Sequence, residues 1–131
     1  MATIKRFEDL EIWQLRREYC KEIYKITRYT AFSKDFDLVR QIRKSTGSIM
    51  DNIAEGFGRG GNNEFRNFLS IALGSVSESR SQLYRAYDQK YINQSEIKHL
   101  LEKNEEICNK TGNLISYLKS SDFKGIKFMN K

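Results

Sequence analysis

The sequence predicts an all-α chain folded as an up-down-up-down antiparallel four-helix bundle, and three observations carry that expectation. No proline occurs in 131 residues, where average usage would give about six or seven. Proline breaks a helix interior at a cost of about 3 kcal/mol, so its absence fits long uninterrupted helices. Apolar residues recur at three- and four-residue spacing along the chain, with no alternation of the strand type. The breaks between these segments are short, which makes sequential helices antiparallel neighbours. A chain of this length is one domain and buries a single core without metal or disulfide staples.

The first helix is expected over residues 7–28, where Leu10, Trp13, Cys20 and Tyr24 form a stripe that Ile12, Tyr19, Ile23 and Ile26 widen. A helix apolar around that much of its circumference is usually covered on two sides. In a four-helix bundle the second cover is another subunit, so a homo-oligomer is expected, with Trp13, Tyr19 and Ile23 as candidate contacts. Residues 29–34 read as a connection, with Ser33 capping the second helix and Asp35 and Asp37 placed for its N-terminal dipole. That helix spans residues 35–56 and buries Leu38, Ile42, Ile49, Ile53 and Phe57. Four glycines within residues 56–61 end it as a C-cap and hairpin needing positive φ. Asn62 or Asn63 caps the third helix, residues 63–91, whose apolar face carries Phe65, Phe68, Leu69, Ala72, Val76, Leu83 and Tyr87. Gly74 and Ser75 are expected where another helix approaches closely. Asn93-x-x-Glu96 is an asparagine form of the capping box. It opens the fourth helix, residues 94–119, with Ile97, Leu100, Leu101, Ile107, Cys108, Leu114, Ile115 and Leu118 on one broad face. The bundle is thus expected over 1–119, followed by a mobile basic tail over 120–131.

Composition bounds the function. The net charge of +6, with pI near 9.3, permits an anionic partner. The excess is spread, however, with seven Lys/Arg against five Asp/Glu in residues 1–30 and the same balance in 91–131; one basic block would be stronger evidence for nucleic-acid binding. Cys20 and Cys108 lack C-x-x-C spacing and read as buried reduced thiols. No signal peptide and no long apolar run is present, so a cytoplasmic protein with no membrane partner is expected.

Gly56-Phe57-Gly58-Arg59-Gly60-Gly61 matches G-x-G-x-x-G literally. That pattern cradles a pyrophosphate when a strand enters it, and here a helix does. Asn52, Glu55, Ser75, Glu78 and Gln82 are polar within apolar helical patterns. Glu55 and Glu78 could suggest a di-metal bundle, but such a site needs two Glu-x-x-His motifs and the chain has only Glu96-x-x-His99. The expected reading is a structural hydrogen-bond network of Asn52, Glu55, Arg59, Ser75, Glu78 and Gln82, with Glu55 and Arg59 paired at i,i+4. No histidine lies near the serines in sequence, so no catalytic residue, cofactor or metal is assigned and the chain is not expected to be an enzyme.

Two basic constellations remain. Arg17, Lys21, Lys25 and Arg28 step by four, four and three along the first helix, and Arg40, Arg43 and Lys44 cluster on the second. Such stripes can track phosphates. Pairing with Glu18 and Glu22 would instead make the first one a solvated face.

The run Asn52-Ile53-Ala54-Glu55-Gly56-x-Gly58-Arg59, followed by Glu64-Phe65-x-x-Phe68-Leu69-x-Ile71-Ala72-x-Gly74-Ser75-x-x-Glu78-x-x-x-Gln82-Leu83, is specific. With Leu10-x-Ile12-Trp13 and Gln41-x-Arg43-Lys44, it resembles the bacterial four-helix-bundle proteins encoded in intervening sequences of 23S ribosomal RNA genes, over roughly residues 7–118. The sequence departs from that family's pattern at Ser33 and near Met50, where proline is common, and at Arg16, where a small residue is preferred. Arg16 is therefore expected to snorkel, to pair with an acid or to mark an altered interface. The resemblance implies a homo-oligomeric ring, a pentamer, and five copies of +6 would carry about +30, turning a modest excess into a strong field. It also relates the chain to accessory proteins of diversity-generating retroelements, which implies nucleic-acid partners. The functional expectation is a non-enzymatic binding module for structured RNA or an RNA–protein assembly; the alternative is a protein–protein interaction scaffold.

Overall fold

In the computed structural model, which describes residues 4–120, Leu10 separates a single 3₁₀ turn (Phe7–Asp9) from α1 (Glu11–Ile26). A one-turn α2 (Thr30–Ser33) fills the expected connection, and three long helices follow: α3 (Phe36–Arg59), α4 (Asn62–Asp88) and α5 (Gln94–Ser120). No strand occurs among the described residues. The expected tail lies outside them apart from Ser120, which closes α5.

The caps explain where these helices begin and end. Asp35, rather than Ser33, caps α3, its carboxylate accepting from the Leu38 amide at 3.2 Å. The α3 helix does not stop at Gly56; it continues through Gly58 to Arg59, and only Gly60 is left-handed, at φ 83°. Neither Asn62 nor Asn63 caps α4. Gly61 takes that position, and Asn62 instead donates from Nδ2 to the Leu118 carbonyl at 3.0 Å, tying the α3–α4 hairpin to the end of α5. The capping box before α5 forms in both directions, Asn93 N to Glu96 Oε1 and Glu96 N to Asn93 Oδ1, each at 2.8 Å.

The four long helices form an antiparallel bundle in which α1 packs on α3 and α5, and α4 closes the other side against the same two. One apolar cluster includes Tyr19, Ile23, Phe32, Ile42, Ile49, Leu83 and Leu100; a second, toward the α3–α4 hairpin, includes Ile12, Ile53, Phe57, Phe65, Leu69 and Leu118. Along α1 and α5, Arg16 and Thr111 lie between them. Arg16 neither snorkels nor pairs with an acid. It is fully buried and donates to the Ile12 carbonyl at 2.7 Å and to the Thr111 hydroxyl.

Tyr19 and Ile23 are buried within one chain, at 1% and 0% exposure, and so are not the oligomer contacts expected. The reason is geometric: α3 and α5 clasp α1 from two sides, and the chain itself supplies both covers. Trp13 alone of the three stays half-buried, edge-on to Phe7 at 5.2 Å. Cys108 is exposed rather than buried, and Cys20 is half-buried.

Gly74 is not a close-packing glycine. It is exposed on α4, and a Cβ added there would meet nothing within 4 Å. Gly74→Ala is therefore expected to stabilise the protein by about 0.8–1 kcal/mol, the difference in helix propensity, measurable by urea denaturation.

Candidate nucleic-acid interface

The crossing of α1 over α3 leaves a groove of about 420 Å³ lined by Arg17, Cys20, Lys21, Tyr24, Arg28 and Met50. Arg43 reaches its edge from α3. Its guanidinium lies 4.3 Å from the Tyr24 ring centroid, and Nε donates to Thr27 Oγ1 at 3.0 Å. Thr27 in turn donates to the Tyr24 carbonyl at 2.8 Å, so the cation is held against a fixed support. Arg17 sits 5.7 Å from the Trp13 ring centroid. Lys21 is loosely paired with Glu18 at 3.6 Å, both exposed, and Arg28 forms no ion pair among the described residues. Exposed pairs of this kind leave the lysine free to exchange partners.

The groove floor is chemically quiet. Cys20 Sγ donates to Thr46 Oγ1 at 3.8 Å, and burial, the largest influence, pushes its thiol pKa up. The Thr46 contact and Arg43 act in the opposite direction, and Asp51 reinforces the rise. A thiol kept protonated is a poor nucleophile.

The remaining predicted cations do not join this groove. Lys25 lines a cavity of about 260 Å³ on the α1–α5 side with Glu22, Tyr29, Glu96 and His99. At 100° per residue, eight positions turn a side chain roughly 80° from Arg17, whereas eleven positions bring Arg28 back to within about 20°. Glu22 already engages its neighbours there: His99 Nε2 lies 2.6 Å from its Oε1, and Lys103 Nζ 3.5 Å from its Oε2. Tyr29 donates to Glu96 Oε2 at 2.5 Å, and that bond raises its pKa. On α3, Arg40 is paired with Asp37 at 2.7 Å, and Lys44 is exposed outside the groove lining. Three of the seven candidates thus line one groove, Arg17, Lys21 and Arg28, and Arg43 adjoins it through the Tyr24 ring.

The expected structural network divides in the same way. Ser45 donates to Gln82 Oε1 at 2.6 Å inside the α3–α4 interface. Ser75 donates to Ser48 Oγ, which also accepts from Asn52 Nδ2, both at 2.9 Å. Glu55 and Arg59 pair at 2.9 Å on the surface, and Glu78 is exposed, so these three belong to no buried network. A second buried network, not expected from the sequence, joins three helices. Asn104 Nδ2 reaches the Val76 carbonyl at 2.9 Å, Tyr19 Oη at 3.1 Å and Ser79 Oγ at 3.2 Å, joining α1, α4 and α5. A signal for it existed: Asn104 sits at helical spacing between Leu100 and Ile107 on the apolar face.

Comparison with known proteins places this arrangement in a family. No curated protein matches the sequence. A solved structure described as a protein with unknown function from the S23 ribosomal protein family of Bacteroides thetaiotaomicron superposes with a TM-score of 0.74 at 24% identity, over 79% of this chain and 97% of that one. At that identity the likeness carries the helical fold alone. The sequence itself carries the rest: the model of the 23S rRNA-intervening sequence protein family matches residues 8–113, nearly the whole bundle, and the chain belongs to that family.

Proposed function

We propose that the chain is a non-enzymatic, homo-oligomeric binding module whose α1–α3 groove takes structured RNA or an RNA–protein assembly. The observation that carries this reading is that Arg17, Lys21 and Arg28 line one groove with Arg43 adjoining it at Tyr24, and that aromatic rings support Arg17 and Arg43. Four cations held over one surface suit a run of phosphates, which sets affinity rather than sequence preference. A family described by 23S rRNA intervening sequences supports RNA as the partner. The protonated Cys20 thiol supports binding over nucleophilic chemistry.

Fluorescence anisotropy with a structured RNA tests the reading. Affinity is expected to fall tenfold or more between about 50 and 200 mM salt if several phosphates are neutralised. Replacing Arg17, Lys21 and Arg28 together by Gln is expected to flatten the logarithmic salt slope by about two to three units. Arg43 is left in place because it also braces Tyr24 and Thr27. Undetectable binding at low salt would favour the protein-scaffold alternative.

The self-association is proposed as a pentamer, after the family resemblance, and is supported by Phe36 at 77% and Ile71 at 54% exposure. Light scattering coupled to size exclusion is expected to give a multiple of 15.4 kDa, and a mass of 15.4 kDa at micromolar concentration would reject it. Ile71→Glu is expected to dissociate the assembly without unfolding the chain, because its side chain lies outside the monomer core.

A further inference from the structure

On the side of the bundle opposite the basic groove, α4 and α5 enclose a second groove, of about 490 Å³. Its floor is apolar: Ile97 is buried, Leu101 half-buried, and Tyr84 and Tyr87 are 46% and 37% exposed. Neither tyrosine hydroxyl forms a hydrogen bond among the described residues. An amphipathic ring with a free polar end is a residue type that protein interfaces favour. The rim carries Asp88, Glu102 and Glu105, and Lys98 is the one cation in the lining. Glu11, Glu22, Glu55 and Glu106 each have a basic partner. The three rim carboxylates form no ion pair among the described residues, in a chain whose net charge is +6. Unanswered acids around an apolar floor repel phosphate and attract a cationic partner.

The shape of the groove selects the form of that partner. It follows α5 from Gln94 to Glu105, about 16 Å or roughly three helical turns. Its walls are helices whose backbone hydrogen bonds are made within α4 and α5, so it offers side chains and no strand edge. An extended segment would press unpaired backbone groups onto the apolar floor. A helix arrives with its own backbone bonds made and presents apolar residues at i, i+3, i+4 and i+7 over the same three turns. A second copy of this chain fits less well. Its basic surface is the α1–α3 groove, and two concave surfaces cannot fill each other.

We infer that the α4–α5 groove docks a basic amphipathic helix of another protein, its apolar stripe on Tyr84, Tyr87 and Leu101 and its lysines or arginines against Asp88, Glu102 and Glu105. Apolar burial supplies the attraction, and the charges set direction and register. The site is separate from the α1–α3 groove, so it stands whether or not that groove binds RNA.

Fluorescence anisotropy on the full chain tests this with a fluorescein-labelled leucine–lysine peptide of about 14 residues, roughly 21 Å as a helix, its leucines at helical spacing. A scrambled peptide of the same composition keeps the charge and loses the apolar face; it is expected to bind about tenfold more weakly. The triple variant Asp88→Asn, Glu102→Gln, Glu105→Gln is expected to weaken the parent peptide by about tenfold, and the pair Tyr84→Ala and Tyr87→Ala by a similar factor. All of these positions are exposed, so the bundle stays folded. The triple variant Glu8→Gln, Asp51→Asn, Glu78→Gln removes the same charge from exposed, unpaired acids outside the groove. It is expected to change affinity by less than about twofold, because distant exposed charges are screened. Equal losses in the two charge variants, or equal binding of the scrambled peptide, would overturn the inference in favour of a general charge effect. Absence of parent-peptide binding would also overturn it; a groove variant of lower mass in light scattering would then assign the groove to a second copy.

Discussion

Replacing Arg16 by methionine is expected to stabilise the protein, by about 1–4 kcal/mol as seen when buried ionic groups give way to apolar ones of similar volume. Arg16 is fully buried; among the described residues its terminal nitrogens reach only the Ile12 carbonyl and the Thr111 hydroxyl, and its Nε has no acceptor. No carboxylate pairs with it among the described residues. Burial lowers its pKa to about 10, which still leaves the guanidinium charged at neutral pH. The sign of the linkage follows. The folded-state pKa lies below the unfolded value, so the penalty is full below about 10 and shrinks only as pH rises above it. The gain from Arg16→Met is therefore expected to be flat across the physiological range. Thr111→Val is expected to do the opposite, costing about 1.5–3 kcal/mol by removing the acceptor from a buried charge. Urea denaturation of both variants decides it; an Arg16→Met chain less stable than wild type would show that the guanidinium is better solvated than its two acceptors imply.

Gly56→Ala is expected to destabilise by about 1–3 kcal/mol despite alanine's better helix propensity. A methyl group there would lie 2.6 Å from Phe68 Cβ and 3.0 Å from Phe65 Cδ1. Phe68 Cβ is fixed to the α4 backbone and cannot swing aside, so the two helices must separate there. Thermal melting is expected to show a lower Tm for Gly56→Ala and a higher one for Gly74→Ala. Equal shifts would mean that the α3–α4 seam yields without cost.

The contrast between these glycines shows how much the sequence disclosed. Both are small residues in a helical pattern, but Gly56 continues the buried line of Ile49 and Ile53, whereas Gly74 falls between Ala72 and Val76 and turns outward. Periodicity separates them; residue type does not. The first helix conceals its core line for a related reason. Its buried line is Ile12, Arg16, Tyr19, Ile23 and Ile26, and a central arginine breaks the apolar pattern. The partly buried flank of Trp13, Cys20 and Tyr24 therefore resembled the core stripe. Asn104 and Thr111 obscure α5 in the same way. The capping box at Asn93 and Glu96 was legible because both of its hydrogen bonds are local. The basic stripe was legible only in part, since Lys25 is turned from Arg17 and Arg28 by helical geometry that spacing by fours and threes conceals.

The position of Arg16 and Thr111 between two apolar clusters has a dynamic consequence. A charged residue at the junction weakens the apolar continuity through which one half of a bundle restrains the other. Native-state amide exchange should therefore resolve two units of unequal protection. Amides near the α3–α4 hairpin, around Ile53 and Leu69, would exchange through an opening that leaves those around Ile42 and Leu83 closed. In Arg16→Met the two units would merge, and exchange in both would approach the rate of global unfolding.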